Sequence, residues 1–251
     1  MAKELPILTF HAIEDQPSVI SFSPELFRIG MAKLHKMGYR TLSLLETVDC
    51  LCARKPFPDQ SFVITFDDGY QSVYEQAFPA LQQYDMSATV FLTVGEKEVA
   101  SSTHRLPSLN GRTMLSWNEL QEMKRWGIEL GAHTCVHPDL TRLPIEQIEV
   151  EIHASKAILE DALGVQVASF AYPYGRYDNR IKKIVEKDFV CACSDKLGLV
   201  HPQSDPYALE RVEMYYFRTP KLFHVMWTKF FPWYLLFRNV PRSIKRAFKW
   251  R

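Results

Sequence analysis

No stretch of this chain is apolar for long enough to cross a bilayer. Its uncharged runs fall short of the ~18–20 residues required, and the aromatic C-terminal segment is broken by Lys229, Pro232 and Arg238. A transmembrane anchor is therefore not expected. The N-terminal Met-Ala-Lys-Glu-Leu-Pro also lacks the apolar core of about 7–15 residues that a secretory leader needs, so the expected location is cytoplasmic. Cysteine is sparse and odd in number: Cys50, Cys52, Cys135, Cys191 and Cys193. In a chain of 251 residues, large enough to build a core without staples, that argues against a disulfide framework and for a reducing compartment. The net charge of +1 excludes a strongly polyanionic partner for the chain as a whole, and no nucleic-acid recognition motif is present. Acid is missing altogether from residues 214–251, which hold nine Lys and Arg and twelve aromatic residues, whereas residues 1–213 hold 21 Lys and Arg against 29 Asp and Glu. The expected organisation is a catalytic domain over 1–213 followed by a basic aromatic tail over 214–251.

Within the first segment, short apolar or β-branched runs recur at Leu5–Phe10, Arg40–Leu44, Phe62–Phe66, Ala88–Val94, Ile128–Ala132, Val167–Ala171 and Val190–Cys193. They are too short and too continuous to be amphipathic helices, so they predict seven buried strands. Helix patterns lie between them. Ser23-Pro24 opens one that buries Phe27, Met31 and Leu34, and Ser116 with Glu119 forms a capping box. A longer helix follows Pro144, with Ile148, Ile152, Leu159 and Leu163 on one face and Gly164 at its end. Alternating strand and helix imply an α/β fold around a parallel sheet, either closed as a barrel or open and doubly wound. In a parallel barrel, chemistry gathers at the C-terminal ends of the strands. His11, Asp67-Asp68, His133 and Tyr172-Pro173-Tyr174-Gly175 all follow predicted strands directly.

Thr65-Phe66-Asp67-Asp68-Gly69 ends an apolar strand with two adjacent carboxylates. Such a pair is either an acidic turn or two groups whose repulsion is offset by a cation. His133-Thr134-Cys135-Val136-His137 offers two imidazoles four residues apart, which would share one face if the segment entered a helix. Cys135 would then point away. Asp68, His133 and His137 thus make a candidate three-donor set for one divalent metal, zinc foremost, with cobalt, nickel or manganese as alternatives. Asp67 is left as a candidate base. His35, His104, His153 and His224 read as ordinary surface or core histidines.

Taken in order, Thr-Phe-Asp-Asp-Gly, His-Thr-x-x-His and Tyr-Pro-Tyr-Gly resemble the first three motifs of the polysaccharide deacetylases, the carbohydrate-esterase family with the NodB-homology domain, over roughly residues 5–214. The resemblance implies a distorted seven-stranded (β/α) barrel and metal-dependent hydrolysis of N-acyl groups on sugars. It implies Asp67 as base, Asp68, His133 and His137 as metal ligands, and the Tyr174 backbone N–H as oxyanion donor. Two departures stand out. Many members have an Arg that pairs with the catalytic Asp where this chain has Ala171, with Arg176 a substitute only if its loop folds back. The late Leu-x-His motif that supplies the general acid is also missing, and neither His201 nor His224 has that context. Leu8-Thr9-Phe10-His11, Ser23-Pro24-Glu25-Leu26-Phe27 and Gly38-Tyr39-Arg40 are similar to a partly permuted branch typified by the poly-N-acetylglucosamine deacetylases. That branch takes its acid from the N-terminal strand, which implies His11 as acid, oriented by Glu14, Asp15 or Glu210.

The expected substrate is an N-acylated, chiefly N-acetylated, amino sugar of a glycan or glycolipid. The tail is either a membrane-interfacial segment, which would make the protein peripheral on the inner face of a membrane, or a helix pair covering the barrel. Two other readings fit the same residues: a deformylase of a polyprenyl-phosphate-linked formamido sugar, and a catalytically silent glycan-binding or scaffold protein.

Overall fold

The computed structural model describes residues 4–95, 104–226, 228 and 230–248. In chain order the elements are β1 (Ile7–Phe10), β2 (Ala12–Ile13), β3 (Ser21–Phe22), α1 (Pro24–Lys36), β4 (Arg40–Thr41), α2 (Leu44–Cys52), β5 (Ser61–Phe66), α3 (Phe78–Gln83), β6 (Thr89–Leu92) and α4 (Trp117–Arg125). They continue as β7 (Glu129–Ala132), α5 (Ile145–Leu163), β8 (Ser169–Ala171), α6 (Asn179–Asp188), β9 (Cys191–Leu197), β10 (Leu209–Glu213), α7 (Pro220–Val225) and α8 (Phe231–Phe248). The strand order β1-β10-β9-β8-β7-β6-β5 closes on itself because β5 also pairs with β1, from Ile7↔Val63 to Phe10↔Phe66. Every pairing in the ring is parallel, so the sheet is a closed seven-stranded barrel.

The number of strands matches the sequence reading, but the membership differs. Arg40–Thr41 lies outside the ring, paired only with the first two residues of β5. The seventh place belongs to Leu209–Glu213, which the sequence reading did not count as a strand because its charged residues mask its period of two. The helix signals hold: Ser116 and Glu119 form the capping box of α4, and α5 ends at Gly164 in the left-handed conformation (φ 64°).

The ring strands are buried on both faces, which is why they read as continuous apolar runs. The two faces nonetheless belong to different cores. Leu8, Phe10, Ile64, Phe66, Val90, Leu92, Phe170 and Val212 pack outward against the helices. Ile7, Val63, Phe91, Ala171, Cys191, Cys193 and Leu209 form a second cluster inside the barrel, joined by Leu44, Val48 and Leu51 of α2. Odd-numbered residues therefore point inward on the ring strands, except at the end of β9, where a register shift puts Leu197 on the outer core. One level above Ile7 and Val63, the Thr9 and Thr65 hydroxyls share a hydrogen bond of 3.0 Å. The next odd positions along the chain are His11 and Asp67.

Beyond β10, a 3-10 turn at Met214–Phe217 buries Met214 and Phe217, and the Phe223 ring of α7 sits against Gly30 of α1, where a methyl group would lie 2.5 Å from the ring. Leu235 is buried, and Phe231 and Tyr234 pack on the outer core. Among the described residues, no helix is long and apolar enough to cross a membrane.

Gly131 of β7 tests the tightness of the interior. A Cβ there would come within 2.5 Å of the Phe91 ring and 2.7 Å of the Ser169 hydroxyl. Gly131→Ala is expected to cost about 1–3 kcal/mol, read as a lower urea midpoint with an unchanged slope.

Candidate active site

The C-terminal ends of the ring strands open into a cavity of about 470 Å³ whose lining includes His11, Asp67, Asp68, His133, His137, Tyr174, Arg211 and Glu213. All six residues singled out from the sequence are in this one place. Their loops are bent sharply to put them there. Asp68 and Gly69 both have positive φ (76° and 85°), and a side chain at Gly69 would press on Leu92 and Leu106. Gly175 also has positive φ (62°), with the Asp195 backbone packed so close that a Cβ would lie 2.2 Å from its nitrogen.

His133 and His137 do meet, but without the helix on which an i, i+4 spacing would join them. Thr134 and His137 both have left-handed backbones (φ 69° and 56°), and the segment is an irregular loop. The His137 N–H donates to the Thr134 hydroxyl at 3.0 Å, and Glu151 accepts from the backbone N–H groups of Cys135 and Val136. Cys135 is buried and outside the donor cluster.

Asp68, His133 and His137 offer ligand atoms that all lie within 4.8 Å of one another. Asp68 Oδ1 is 3.5 Å from Nε2 of each histidine, yet it is a buried oxygen with no hydrogen-bond partner. His133 Nδ1 donates to the Ala171 carbonyl at 2.7 Å, which in the neutral imidazole turns the Nε2 lone pair toward that oxygen. Burial, reinforced by the neighbouring His133, pushes the His137 pKa down to about 4 and keeps its ring neutral. Burial works against the charge on Asp68, but the surrounding histidines outweigh it and hold its pKa below the usual carboxylate range. Lone pairs converging on an orphaned carboxylate oxygen fit a divalent cation.

Asp67 is held differently. Arg211, buried in the barrel interior, donates to it through two nitrogens, each at 2.7 Å, and also donates to the Ser194 carbonyl at 3.1 Å. Burial opposes ionisation of Asp67, but Arg211 overcomes it and keeps the pKa lowered. Arg211 thus takes the part of the arginine missing at Ala171. Arg176 does not: it pairs with Asp139 at 2.5 Å and lies over the Tyr174 ring.

His11 sits between Asp67, 3.9 Å from Nε2, and Glu213, 3.9 Å from Nδ1. Burial lowers its pKa, but Glu213 and the two aspartates outweigh burial and raise it, favouring the imidazolium. None of the three expected orienting residues faces His11: Glu14 is bonded to Arg112 and Ser21, Glu210 to Lys196 and Ser204, and Asp15 is exposed. Arg211 and Glu213 are the two residues that the sequence reading missed. Their signal was present in Leu209-Glu210-Arg211-Val212-Glu213, where alternation from the interior Leu209 points both into the barrel. Tyr174, with φ 55°, lines the cavity beside the His137 ring at 4.7 Å.

Two outcomes are expected. Zinc added to metal-stripped protein should raise the thermal midpoint, by about 2.7 kcal/mol of stabilisation at a hundred times the dissociation constant; a chelator should reverse the shift and His137→Ala should lose it. Arg211→Ala should destabilise the fold by about 3–5 kcal/mol in urea unfolding, because it strands a buried carboxylate.

The geometry agrees with comparison against known proteins. The sequence model of the polysaccharide deacetylase family matches residues 54–188. YxkH of Bacillus subtilis, a protein assigned to the polysaccharide deacetylases, is 31% identical over 212 residues, covering 84% of this chain and 71% of its own length. The poly-beta-1,6-N-acetyl-D-glucosamine N-deacetylase of Escherichia coli K12 is 29% identical over 138 residues, 51% of this chain but only 20% of that longer protein. Among solved structures, the Streptococcus pyogenes deacetylase PplD in complex with acetate superposes with a TM-score of 0.75 at 25% identity, over 85% of this chain and 93% of that one. With its motifs, closed parallel barrel and converged donor set all of one kind, the chain belongs to the polysaccharide deacetylase family.

Proposed function

We propose that the protein hydrolyses the N-acetyl group of an amino sugar carried on a glycan or a lipid-linked saccharide. The observation that carries this reading is an ionised Asp67 fixed by Arg211, with a protonatable His11 on one side and the Asp68-His133-His137 donor set on the other. A base, an acid and a cation site around one cavity are what amide hydrolysis needs. The E. coli relative is named for removing acetyl groups from poly-N-acetylglucosamine, and the streptococcal structure is of a complex with acetate; both favour acetyl over formyl.

Asp68, His133 and His137 would hold the cation, zinc by their donor types with cobalt, nickel or manganese as alternatives, and it would supply Lewis-acid polarisation of the acyl carbonyl. Asp67 takes the proton from water as the water oxygen adds to the acyl carbon. Arg211 keeps that carboxylate ionised and stops it turning away. The backbone N–H of Tyr174 is the donor assigned to the oxygen that gains charge. As the C–N bond breaks, His11 gives its proton to the departing nitrogen, so that amine and carboxylic acid leave separately. Glu213 positions His11 and favours its charged form.

Acetate release from N-acetylglucosamine oligomers, measured with metal present, should fall about 10²–10⁴-fold in Asp67→Asn and in His11→Ala. Formate release from formamido substrates with no acetate release would move the assignment to a deformylase. A folded protein without metal or release would make it a glycan-binding protein. The pH profile carries a second test. His11 acts protonated and its pKa is raised, so kcat/KM should fall as pH rises through that pKa, and Glu213→Gln should move this limb to lower pH.

A further inference from the structure

We propose that the outer face of α8 is a docking surface for an anionic phospholipid bilayer. The helix has two apolar faces. The inner one is fixed to the barrel: Leu235 is buried, Phe231 and Tyr234 pack on the outer core, and the Asn239 amide donates to the Leu197 carbonyl at 2.6 Å. The outer one carries Trp233, Leu236 and Phe237, exposed by 71, 60 and 74%, at the spacing of one helix stripe. Exposed aromatic and aliphatic groups in such a stripe call for a cover.

Charge selects the cover. Residues 214–251 carry nine Lys and Arg and no acid, so a second copy of the same segment would be repelled, whereas an anionic lipid surface would be attracted. The preceding 213 residues are net −8 and would be pushed away from that surface, so only the tail can lead. Trp and Phe beside Lys and Arg also match the composition of helices that lie at headgroup depth.

The tail is anchored to the turn that follows β10. Tyr216 follows Glu213 of the cavity by three residues; its carbonyl accepts from the Tyr234 hydroxyl at 3.2 Å, and the Arg238 guanidinium lies over its ring at 4.8 Å. Arg218 of the same segment donates to the carbonyl of Ser18, two residues before the cavity-lining Ile20. Resting on the deacetylase reading, an enzyme held on a bilayer in this way would meet saccharides tethered to lipid.

The test is co-sedimentation of the full chain with phosphatidylcholine vesicles, with and without phosphatidylglycerol, for wild type and for Trp233→Ser/Leu236→Ser/Phe237→Ser. Wild type should bind the anionic vesicles, weakly bind the neutral ones and be released by salt. The triple variant should lose about 10²-fold in partitioning while keeping its metal-dependent thermal shift and its activity on soluble oligomers. Wild type remaining in the supernatant with anionic vesicles, or a triple variant that binds equally well, overturns the proposal. A concentration-dependent dimer abolished by the triple variant, with no vesicle binding, overturns it in favour of a second copy. Vesicle binding without acyl release from any substrate leaves the docking surface standing and removes the deacetylase reading.

Discussion

A guanidinium and a carboxylate buried together inside a parallel barrel organise this protein. Arg211 and Asp67 lie within a ring of strands whose lower interior is filled by Ile7, Val63, Phe91, Cys193 and Leu209. Taking either charge out of water alone would be prohibitive. The pair is tolerated because the two donors of Arg211 meet the two oxygens of Asp67 and a third meets the Ser194 carbonyl. Everything above this level inherits its position from it. Asp67 is fixed in rotation and charge, Asp68 is directed to the opposite side by its own positive φ, and His11 is left between Asp67 and Glu213.

Two adjacent carboxylates at one strand end would repel each other, and the structure gives each a separate source of compensation. Asp67 has Arg211 and His11; Asp68 has two imidazoles and an orphaned oxygen that a cation would satisfy. That division gives the two carboxylates different environments, which the proposed roles of base and ligand require. Glu213 completes the arrangement by making His11 more basic than burial alone would allow.

The position of Arg211 shows how the same electrostatic need is met from a different strand. Ala171 on β8 leaves room in the interior cluster, and Arg211 enters from β10, two strands away around the ring. The carbonyl of Ala171 keeps a part in the site by accepting from His133 Nδ1. Because the side chain at 171 is not used for this, replacing it says nothing against catalysis: the charge that Asp67 needs is supplied by another inward-facing position.

Local chemistry in the sequence determined a good deal. Continuous apolar runs separated by capped helix patterns specified a parallel α/β architecture, since strands buried on both faces have no polar face to alternate with. Asp67, Asp68, His133, His137, Tyr174 and His11 were legible because each ends such a run or lies in the motif that directly follows one, and strand ends are where a parallel barrel collects its reactive groups. Only the tertiary structure decided which strands close the ring, why Arg40–Thr41 stays outside it, and how a left-handed loop brings His133 and His137 together. It also decided that Arg211 and Glu213 are site residues. A charged residue in a short polar strand has the same local signature at a surface as in a core. What distinguishes the two is pairing with residues such as Asp67, 144 positions earlier in the chain, and that contact exists only once the barrel has closed.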